Sequence, residues 1–452
     1  MEDADKMKKV FFVGINGIGM SALAKIMINE GYQVFGSDIS RKEITEQLEA
    51  MGAKIFPNHL DLNVIGMDMV VYTSAVKFSN PELVFAKINN IEILKRGELL
   101  AMLLNSKKGI AVAGTHGKTT TSSMLGVAML GLDPTIVVGG IIPEIGSNSR
   151  SGKGEYLIAE ADESDNSFLY MRPRYSIITN VEADHLDHHG TYENIKKSFE
   201  KFIEQTEDKV IICRDCQNLN DLKMSEDKII RYSVKSEDAE IYATNIRMEN
   251  KRSVYNVIMH GEDLGEFVLT IPGIHNISNS LGVIYIAKKL GADMNYVKEA
   301  ISKFKGAKRR FDIVYENGIT VVDDYAHHPS EIKATLNAAR QRSKGKVVAV
   351  FQPHRYSRIS SLIEDFKGCF TDADEIVLLP IYSAGEKNIY GISSEILAEK
   401  IDGGKKVKVV NSGDEAVNMV INGEKDGTLY MFMGAGDIYK SAYKIKEELE
   451  KR

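Results

Sequence analysis

The sequence has few cysteines and lacks any long apolar run. Its 452 residues include three cysteines, Cys213, Cys216 and Cys369. Cys213 and Cys216 form a single C-x-x-C pair, and without a second pair we interpret all three as incidental thiols of a reducing cytoplasm. No apolar run approaches the roughly 20 residues that cross a membrane. The initial MEDADKMKKV lacks the apolar segment of a secretory signal, so a cytoplasmic protein is expected.

An excess of positive charge is also missing. The chain carries 57 Lys and Arg against 63 Asp and Glu, a net charge of −6. This balance argues against a nucleic acid or a membrane surface as a partner held by bulk electrostatics. The hydrophobic content of 43% and the length are those of a globular protein with two to four domains. Nothing in the pattern predicts an oligomeric state.

Short apolar runs alternate with helical patterns in three blocks. The first block opens with the strand KVFFV and a predicted helix from Met20 to Glu30, and it includes the strand MDMVVYTSA. The second restarts at Gly109 with GIAVAG, and the third near Gly318 with GITVVDDYA. This βαβ alternation predicts parallel sheets. We expect three α/β domains: a Rossmann-like domain over residues 1–106, a P-loop ATPase-like domain with a mostly parallel sheet over 107–309, and a Rossmann-like domain over 310–452.

The stretch GTHGKTTT, residues 114–121, lies between a predicted strand and a helix predicted from Thr120 to Leu130. It ends like a phosphate-binding loop, but the usual first glycine of G-x-x-x-x-G-K-[ST] would fall on Val112. Gly114 and Gly117 allow the backbone amides to turn towards phosphate oxygens. Lys118 can reach the β- and γ-phosphates, and the Thr119 hydroxyl can bind Mg²⁺. A glycine-rich turn with a solvated lysine is the alternative, and the strand–loop–helix context disfavours it.

A second glycine-rich turn, GINGIG at residues 14–19, also follows a strand and opens a helix. Its spacing is G-x-x-G-x-G and differs from the dinucleotide fingerprint. A diphosphate at the helix N-terminus is the functional interpretation, and a tight packing turn is the alternative. Asp38 closes the second strand, where a ribose-binding carboxylate would lie.

Acidic and histidine residues follow two further strands, as EADESD from Glu160 and EADHLDHH from Glu182. Carboxylates at strand ends near a phosphate loop are suitable ligands of Mg²⁺. The histidines, His185 among them, also leave open a metallohydrolase with Zn²⁺ or Mn²⁺, or a solvated polar loop.

The third block carries DDYAHHP after one strand and FQPHRYSR after another. Arg355 and Arg358 in the second motif can form a clamp for a carboxylate, because guanidinium pairs with it bidentately. A surface ion pair is the commoner fate of a single arginine.

Taken together, these motifs resemble those of the Mur ligases. GTHGKTTT is similar to the shortened phosphate loop of that family. The other matching stretches keep the order of the family over most of the chain: EADESD, TNVEADHLDHH, PGIHNISN, AKRRFD, DDYAHHPSEIKATL, FQPHRYSR, IYSAGE and GAGDI. Asn16 and Ala22 depart from it, since the family usually has glycine at these positions.

The resemblance implies an ATP-dependent amide ligase of peptidoglycan precursor synthesis. ATP phosphorylates the lactyl carboxylate of UDP-N-acetylmuramate, and the amine of L-alanine attacks the acyl phosphate. FQPHRYSR favours L-alanine over the alternative, a related ligase that attaches a ready-made tripeptide to the same nucleotide sugar. The implied cofactors are ATP and Mg²⁺, with Mn²⁺ as a possible substitute.

The resemblance also implies roles for individual residues. The ATP site comprises Gly114, Thr115, His116, Gly117, Lys118, Thr119, Thr120, His275, Asn279, Arg310 and Asp324. The UDP-sugar site comprises Gly14, Asn16, Gly17, Ile18, Gly19, Asp38 and Ser74. The amino acid site comprises Tyr325, His327, His354, Arg355 and Arg358. The catalytic residues are Lys118, His327, His354 and Arg358. The metal ligands are Thr119, Glu160 and His185, with Glu163 a weaker candidate.

Two other classes compete with a ligase. A nicotinamide-dependent oxidoreductase would use the N-terminal turn but leaves the GKT triplet unexplained. A nucleotide-binding module without ligation chemistry would hydrolyse ATP slowly and would not depend on an amine.

Overall fold

A computed structural model describes residues 8–73, 75–184, 189–249, 251–401, 406–423 and 427–451 of the chain. The residues cluster into two compact units. The first unit comprises Met1–Tyr242, Ile258–Asp263 and Asn279–Ala300, and the second comprises Ala243–Val257, Leu264–Ser278 and Ile301–Arg452. In the described part of the chain the strands form three sheets.

The N-terminal sheet is parallel and lies in the first unit. Its strands are β1 (Lys9–Val13), β2 (Gln33–Ser37), β3 (Lys54–Phe56), β4 (Met69–Tyr72) and β5 (Glu92–Lys95), in the order β3-β2-β1-β4-β5. The helices α1 (Ile18–Asn29), α2 (Glu43–Ala50), α3 (Pro81–Ile88) and α4 (Arg96–Asn105) connect them. The order reverses between β1 and β4, and ligands of such sheets bind at the carboxyl ends of the strands.

The central sheet has the order β15-β14-β13-β12-β11-β10-β6-β9-β7-β8. Its strands are β6 (Lys108–Ala113), β7 (Thr135–Ile142), β8 (Ser147–Arg150), β9 (Tyr156–Glu160), β10 (Tyr175–Ile178), β11 (Lys209–Cys213), β12 (Ile229–Ser233), β13 (Ile241–Glu249), β14 (Arg252–Met259) and β15 (Glu262–Leu269). The strands β7, β9, β6, β10, β11, β12 and β13 run parallel, and β8 pairs antiparallel with β7. The helices of this region are α5 (Lys118–Ala128), α6 (Tyr192–Gln205), α7 (Gln217–Asn220), α8 (Ile274–Lys289) and α9 (Met294–Lys303).

The C-terminal sheet lies in the second unit, with the order β16-β17-β21-β18-β19-β20. Its strands are β16 (Asp312–Asn317), β17 (Ile319–Asp324), β18 (Val347–Phe351), β19 (Glu375–Leu378), β20 (Lys406–Val409) and β21 (Leu429–Met433). Among the described strand pairs of this sheet, β16 and β17 are antiparallel, and the other pairs are parallel. The helices α10 (Pro329–Arg342), α11 (Tyr356–Ser361), α12 (Ser394–Lys400), α13 (Gly413–Asn422) and α14 (Tyr439–Glu450) complete it, and an apolar core covers each face of the sheet.

The predicted helices are present but shifted towards their glycine-rich turns. The helix expected from Met20 begins at Ile18, and the helix expected from Thr120 begins at Lys118. Gly17 is the N-cap residue of the first helix and Gly117 that of the second, so each helix begins directly after a glycine of its turn. Cys213, Cys216 and Cys369 are free thiols. Among the described helices, none combines the length and the apolar character of a membrane span.

Candidate active site

The loop between β6 and α5 turns on two glycines with positive φ. Gly114 has φ +133° and Gly117 has φ +84°, conformations that favour glycine. A Cβ atom on Gly114 would lie 2.1 Å from Oγ1 of Thr179. The loop therefore has glycine where its backbone packs directly on the segment that follows β10.

The segment after β10 holds the loop by hydrogen bonds. The backbone N–H of Thr115 donates to the carbonyl of Asn180 at 3.1 Å, and that of His116 donates to Oδ1 of Asn180 at 2.9 Å. The backbone N–H of Glu182 donates to the Thr115 hydroxyl at 2.8 Å, and Nε2 of His116 lies 3.3 Å from Oε2 of Glu182. No role was predicted for Asn180 from the sequence, although it lies in the matching stretch TNVEADHLDHH, two residues after the end of β10.

Lys118 opens α5 and turns back over the loop. Its Nζ donates to the carbonyl of Gly114 at 2.6 Å and to both carboxylate oxygens of Glu163, at 2.9 and 2.7 Å. Both side chains are largely buried. Burial alone would lower the pKa of Lys118, but the attraction of Glu163 and Asp162 outweighs it and the pKa is raised. Lys118 is therefore a fixed positive charge at the phosphate loop.

Glu163 is the partner of that charge. Burial raises the pKa of its carboxyl to about 7, and the attraction of Lys118 offsets this effect only in part. Glu163 was predicted as a weaker metal candidate, and the observed contact of its carboxylate is with Lys118.

Glu160 ends β9 beside the first turn of α5. Its Oε2 accepts from the Thr119 hydroxyl at 3.2 Å, and its Oε1 accepts from the backbone N–H of Gly139 at 2.6 Å and from the Ser122 hydroxyl at 3.2 Å. A hydroxyl and a carboxylate together are the oxygen donors that Mg²⁺ prefers. The predicted ligands Thr119 and Glu160 are thus adjacent, whereas His185 lies outside the described residues.

The other predicted nucleotide residues occupy separate positions. Thr120 is buried in the first turn of α5. A Cβ atom on Gly117 would lie 3.3 Å from the side-chain amide of Asn279, so this asparagine borders the phosphate loop. His275 lies in the first turn of α8 and is exposed.

The N-terminal glycine-rich turn is held by the end of β2. The backbone N–H of Gly14 donates to the carbonyl of Ser37 at 2.8 Å. Oδ2 of Asp38 accepts from the backbone N–H of Asn16 at 3.1 Å, and its Oδ1 accepts from the N–H and the hydroxyl of Ser40 at 3.0 and 2.8 Å. The carboxylate predicted to bind a ribose therefore braces the turn.

The Asn16 side chain is buried in this turn, although the family usually has glycine there. It donates to the carbonyl of Ser40 at 2.5 Å and accepts from the Thr45 hydroxyl at 2.9 Å. Gly17 is the N-cap of α1, Ile18 and Gly19 begin the helix, and Ile18 is exposed. Ser74 lies outside the described residues.

Aromatic rings of the predicted amino acid site lie together in the second unit. The ring centroids of Tyr325 and His327 are 5.4 Å apart, and those of His327 and His354 are 5.9 Å apart. His354 stacks on Tyr382 at 5.6 Å with nearly parallel planes. Nδ1 of His327 lies 3.0 Å from the carbonyl of Tyr325, so it carries a proton that it donates.

The two arginines of FQPHRYSR differ in their surroundings. Nη1 of Arg358 donates to Nδ1 of His354 at 3.2 Å, and Arg358 is half-buried. Arg355 is exposed, has φ +64° and is the N-cap residue of α11. Burial, together with the charges of His327 and Arg358, lowers the pKa of His354 to about 3. His354 is therefore neutral at physiological pH, with its proton on Nε2.

Arg310 and Asp324 lie beside this cluster. The guanidinium carbon of Arg310 is 5.1 Å from the ring centroid of Tyr325, and its Nη1 is 3.7 Å from Oε1 of Glu331. Asp324 is buried and accepts from the backbone N–H groups of Phe311 and Ala326, each at 2.7 Å. These bonds fix the turn at the end of β17, and the predicted ribose contact stays a prediction.

Arg309 is a neighbour for which the sequence predicted no role. Its guanidinium lies between the rings of Tyr325 and Tyr439, 5.0 and 4.6 Å from their centroids, and it donates to the carbonyl of Gly434 at 2.6 Å. The motif AKRRFD contained this residue, but two adjacent arginines gave no signal for which one faces which partner.

Family models cover most of the chain. Residues 9–108 match the model of the Mur ligase family catalytic domain, residues 112–287 match the Mur ligase middle domain, and residues 309–436 match the glutamate ligase domain of Mur ligases. The three-domain α/β fold expected from the sequence is therefore confirmed, while the predicted boundaries at 106 and 309 stay predictions.

Whole-chain relatives agree with these models. The UDP-N-acetylmuramate–L-alanine ligase of Fusobacterium nucleatum subsp. nucleatum is 54% identical over 98% of this chain and 97% of that protein. The crystal structure of UDP-N-acetylmuramate–alanine ligase from Thermotoga maritima is 32% identical with a TM-score of 0.81, over 99% of this chain and 100% of that chain. A murein peptide ligase structure from Psychrobacter arcticus shares the fold, at 23% identity and a TM-score of 0.68 over 98% and 99%. The chain belongs to the Mur ligase family of ATP-dependent ligases.

Proposed function

We propose that the protein joins L-alanine to the lactyl carboxylate of UDP-N-acetylmuramate, with cleavage of ATP to ADP and phosphate. One observation carries the proposal: Lys118 and Thr119 open a helix at a glycine-rich loop beside Glu160 and Glu163. Phosphoryl transfer to a carboxylate needs a fixed positive charge at such a loop, because the carboxylate and the triphosphate repel each other. The L-alanine ligase at 54% identity favours alanine as the amine.

The first step activates the carboxylate. A lactyl carboxylate oxygen attacks the γ-phosphorus of ATP, the bond to the β-phosphate oxygen breaks, and ADP leaves. Lys118 offsets the negative charge on the phosphoryl oxygens, and the N-terminus of α5 supplies backbone N–H groups to the phosphates. The product is an acyl phosphate, which has a good leaving group where the carboxylate had none.

A divalent cation fits the donor set at the start of α5. The Thr119 hydroxyl and the Glu160 carboxylate would hold Mg²⁺, and Mn²⁺ would suit the same oxygens and His185. When bound, the cation supplies charge neutralisation to the phosphate oxygens. Glu160 is held ready for this role by Gly139 and Ser122.

The second step forms the amide. The neutral amine of alanine attacks the acyl carbon, and the tetrahedral intermediate expels inorganic phosphate while the amine loses a proton. The basic nitrogen of His354 is Nδ1, which already accepts a hydrogen bond from Arg358. The basic nitrogen of His327 is Nε2, because its Nδ1–H donates to the carbonyl of Tyr325. We therefore assign proton removal to His327 and orientation to His354.

Alanine recognition rests on charge because the amino acid is small. Arg358 is half-buried and is fixed by its bond to His354. We assign it to the alanine carboxylate, with Arg355 as a second, more exposed donor. The reaction belongs to peptidoglycan precursor synthesis, and we place it in the cytoplasm, where ATP and UDP-sugars are available.

The deciding experiment measures ADP release with UDP-N-acetylmuramate while one amine is added at a time. L-Alanine should start turnover, and L-alanyl-γ-D-glutamyl-meso-diaminopimelate should not. Turnover with the tripeptide alone would assign the protein to the related tripeptide-adding ligases. Slow ATP hydrolysis that no amine stimulates would contradict a ligase altogether.

A further inference from the structure

A buried carboxylate in the N-terminal sheet lies outside every role assigned so far. Glu82, in the first turn of α3, has no solvent exposure. Its Oε2 accepts from the Ser37 hydroxyl at 2.8 Å and lies 2.9 Å from Nδ1 of His59, and its Oε1 accepts from Nδ2 of Asn63 at 2.9 Å. Such a carboxylate is tolerated because three donors and a helix N-terminus compensate its desolvation.

This cluster adjoins the glycine-rich turn. Ser37 is the last residue of β2, and its carbonyl accepts from the backbone N–H groups of Gly14 and Ile15 at 2.8 and 3.1 Å. Its hydroxyl is in the Glu82 cluster and lies 2.9 Å from Nδ1 of His59. His59 follows β3, so it lies at the carboxyl edge of the parallel sheet, on the β2 side of the turn. In parallel α/β sheets this edge binds ligands, and the β2 side takes the nucleoside.

The ring of His59 has a fixed orientation. Its Nδ1 lies within hydrogen-bonding distance of the Ser37 hydroxyl and of the Glu82 carboxylate. The Ser37 hydroxyl donates its own proton to Glu82, so the hydrogen bonds of His59 require a proton on Nδ1. Nε2 of the neutral ring is then an acceptor. About a quarter of the side chain is exposed, and within the described residues no hydrogen bond of Nε2 is found.

Asp38, the residue expected to bind the nucleoside, is already hydrogen-bonded within the protein. Its two oxygens accept from Asn16 and Ser40. His59 therefore presents a hydrogen-bond acceptor at this edge. The orientation of its ring is fixed, and its outward atom, Nε2, has no hydrogen bond within the described residues. A ribose hydroxyl and the N3–H of uracil are donors that match it, whereas a diphosphate offers no donor.

We propose that His59 binds the uridine of the nucleotide sugar through Nε2 and that Glu82 and Ser37 are its positioning residues. This inference rests on the proposed function, because it assumes that the N-terminal domain holds a uridine nucleotide. Neither GINGIG nor the resemblance assigned a role to His59 or Glu82.

Two substitutions of His59 separate binding from stability. In His59→Asn, the amide can replace Nδ1 towards Glu82 but has nothing at the Nε2 position. In His59→Gln, the amide reaches the Nε2 position but leaves Glu82 without one donor. The Kd for UDP by isothermal titration calorimetry should rise about five- to tenfold in His59→Asn, in line with one lost hydrogen bond, with little change in Tm. His59→Gln should keep the Kd within about threefold and lower the Tm.

Asn63→Ala is the matched control, because it removes a donor from Glu82 and leaves the outward face of His59 unchanged. It should lower the Tm without raising the Kd for UDP. If His59→Asn binds UDP as the wild type does, or if Asn63→Ala weakens UDP as much as His59→Asn, the inference is wrong. If the wild-type protein does not bind UDP, the proposed function fails as well, and this result is distinct from the other two.

Discussion

Oε2 of Glu163 lies 2.7 Å from Nζ of Lys118, although 45 positions separate the two residues in the chain. The same ammonium donates to the carbonyl of Gly114 at 2.6 Å. Lys118 thus joins the phosphate loop, through a backbone oxygen, to a buried carboxylate that follows β9. A lysine held in this way can stabilise phosphoryl transfer without first losing the rotational freedom of an exposed side chain.

Lys118→Ala should abolish ligation while the protein remains folded. Loss of a charge that stabilises the transferring phosphoryl group is expected to lower kcat by about 10²–10³-fold or more. ADP release at saturating substrates measures kcat, and circular dichroism checks the fold. Lys153→Ala is the matched control, because Lys153 is exposed and should retain wild-type turnover. Turnover of Lys118→Ala equal to that of the control would remove Lys118 from the mechanism.

Glu160→Gln should raise the Mg²⁺ concentration that gives half-maximal ADP release, by about tenfold or more. The amide keeps the shape of the side chain but loses the negative charge that a divalent cation binds. Titration with Mg²⁺ at fixed ATP measures the effect. Glu155→Gln is a suitable control, because Glu155 pairs with Lys108 on an exposed part of the same region. An unchanged Mg²⁺ requirement in Glu160→Gln would show that the cation is bound elsewhere.

The sequence predicted strands best where buried runs are bounded by glycine or by polar turns. KVFFV coincides with β1 (Lys9–Val13), because a fully buried parallel strand appears as a continuous apolar run. The edge strand β8 (Ser147–Arg150) was missed, because its residues SNSR carry no apolar signal and form a strand only through pairing with β7.

The sequence predicted site residues where a motif fixes their neighbours along the chain. Lys118 and Thr119 were predicted from the strand–loop–helix context and Glu160 from its place at a strand end and from the resemblance; the structure brings Thr119 and Glu160 together, while their roles stay predictions. The contacts of Asn180 with the phosphate loop and of Glu82 with His59 join residues that are 64 and 23 positions apart. An asparagine and a lone glutamate have no distinctive chemistry of their own, so only the fold could show what they contact.

Asp323 should make stability depend on pH. This carboxyl has no solvent exposure, its oxygens have no hydrogen-bond partner in the described structure, and Nε of Arg309 lies 3.5 Å from Oδ2. Burial raises its pKa to about 7, compared with about 3.9 in an unfolded chain. The folded protein therefore holds this proton more tightly. The stability that it contributes is fully present below about pH 4 and is lost as the pH rises through about 7.

Asp323→Asn removes this titration. Between pH 4.5 and 7.5, the wild type should lose stability relative to Asp323→Asn, by up to a few kcal/mol, since each pKa unit corresponds to about 1.4 kcal/mol. Thermal melting of both proteins across this range measures the difference in stability. The contributions of the titratable groups that the two proteins share cancel in this difference. A difference in Tm that stays constant from pH 4.5 to 7.5 would contradict the assignment.

Arg358→Ala should raise the KM for L-alanine and leave the KM values for ATP and UDP-N-acetylmuramate nearly unchanged. Nη1 of Arg358 lies 3.2 Å from Nδ1 of His354, so the guanidinium is held at the predicted amino acid site, where it can pair with a carboxylate. Loss of a buried charge-assisted contact costs roughly 2–5 kcal/mol. At about 1.4 kcal/mol per decade, the KM should rise at least about thirtyfold.

The same three KM values of Arg355→Ala and Arg252→Ala complete the test. Arg355 is exposed, and its substitution should raise the alanine KM less than that of Arg358. Arg252 lies exposed at the start of β14, and its substitution should change none of the three. Loss of Arg358 also frees Nδ1 of His354, so a fall in kcat without a change in the alanine KM would assign Arg358 to the orientation of that histidine. A normal alanine KM in both Arg355→Ala and Arg358→Ala would mean that the alanine carboxylate is bound by other residues.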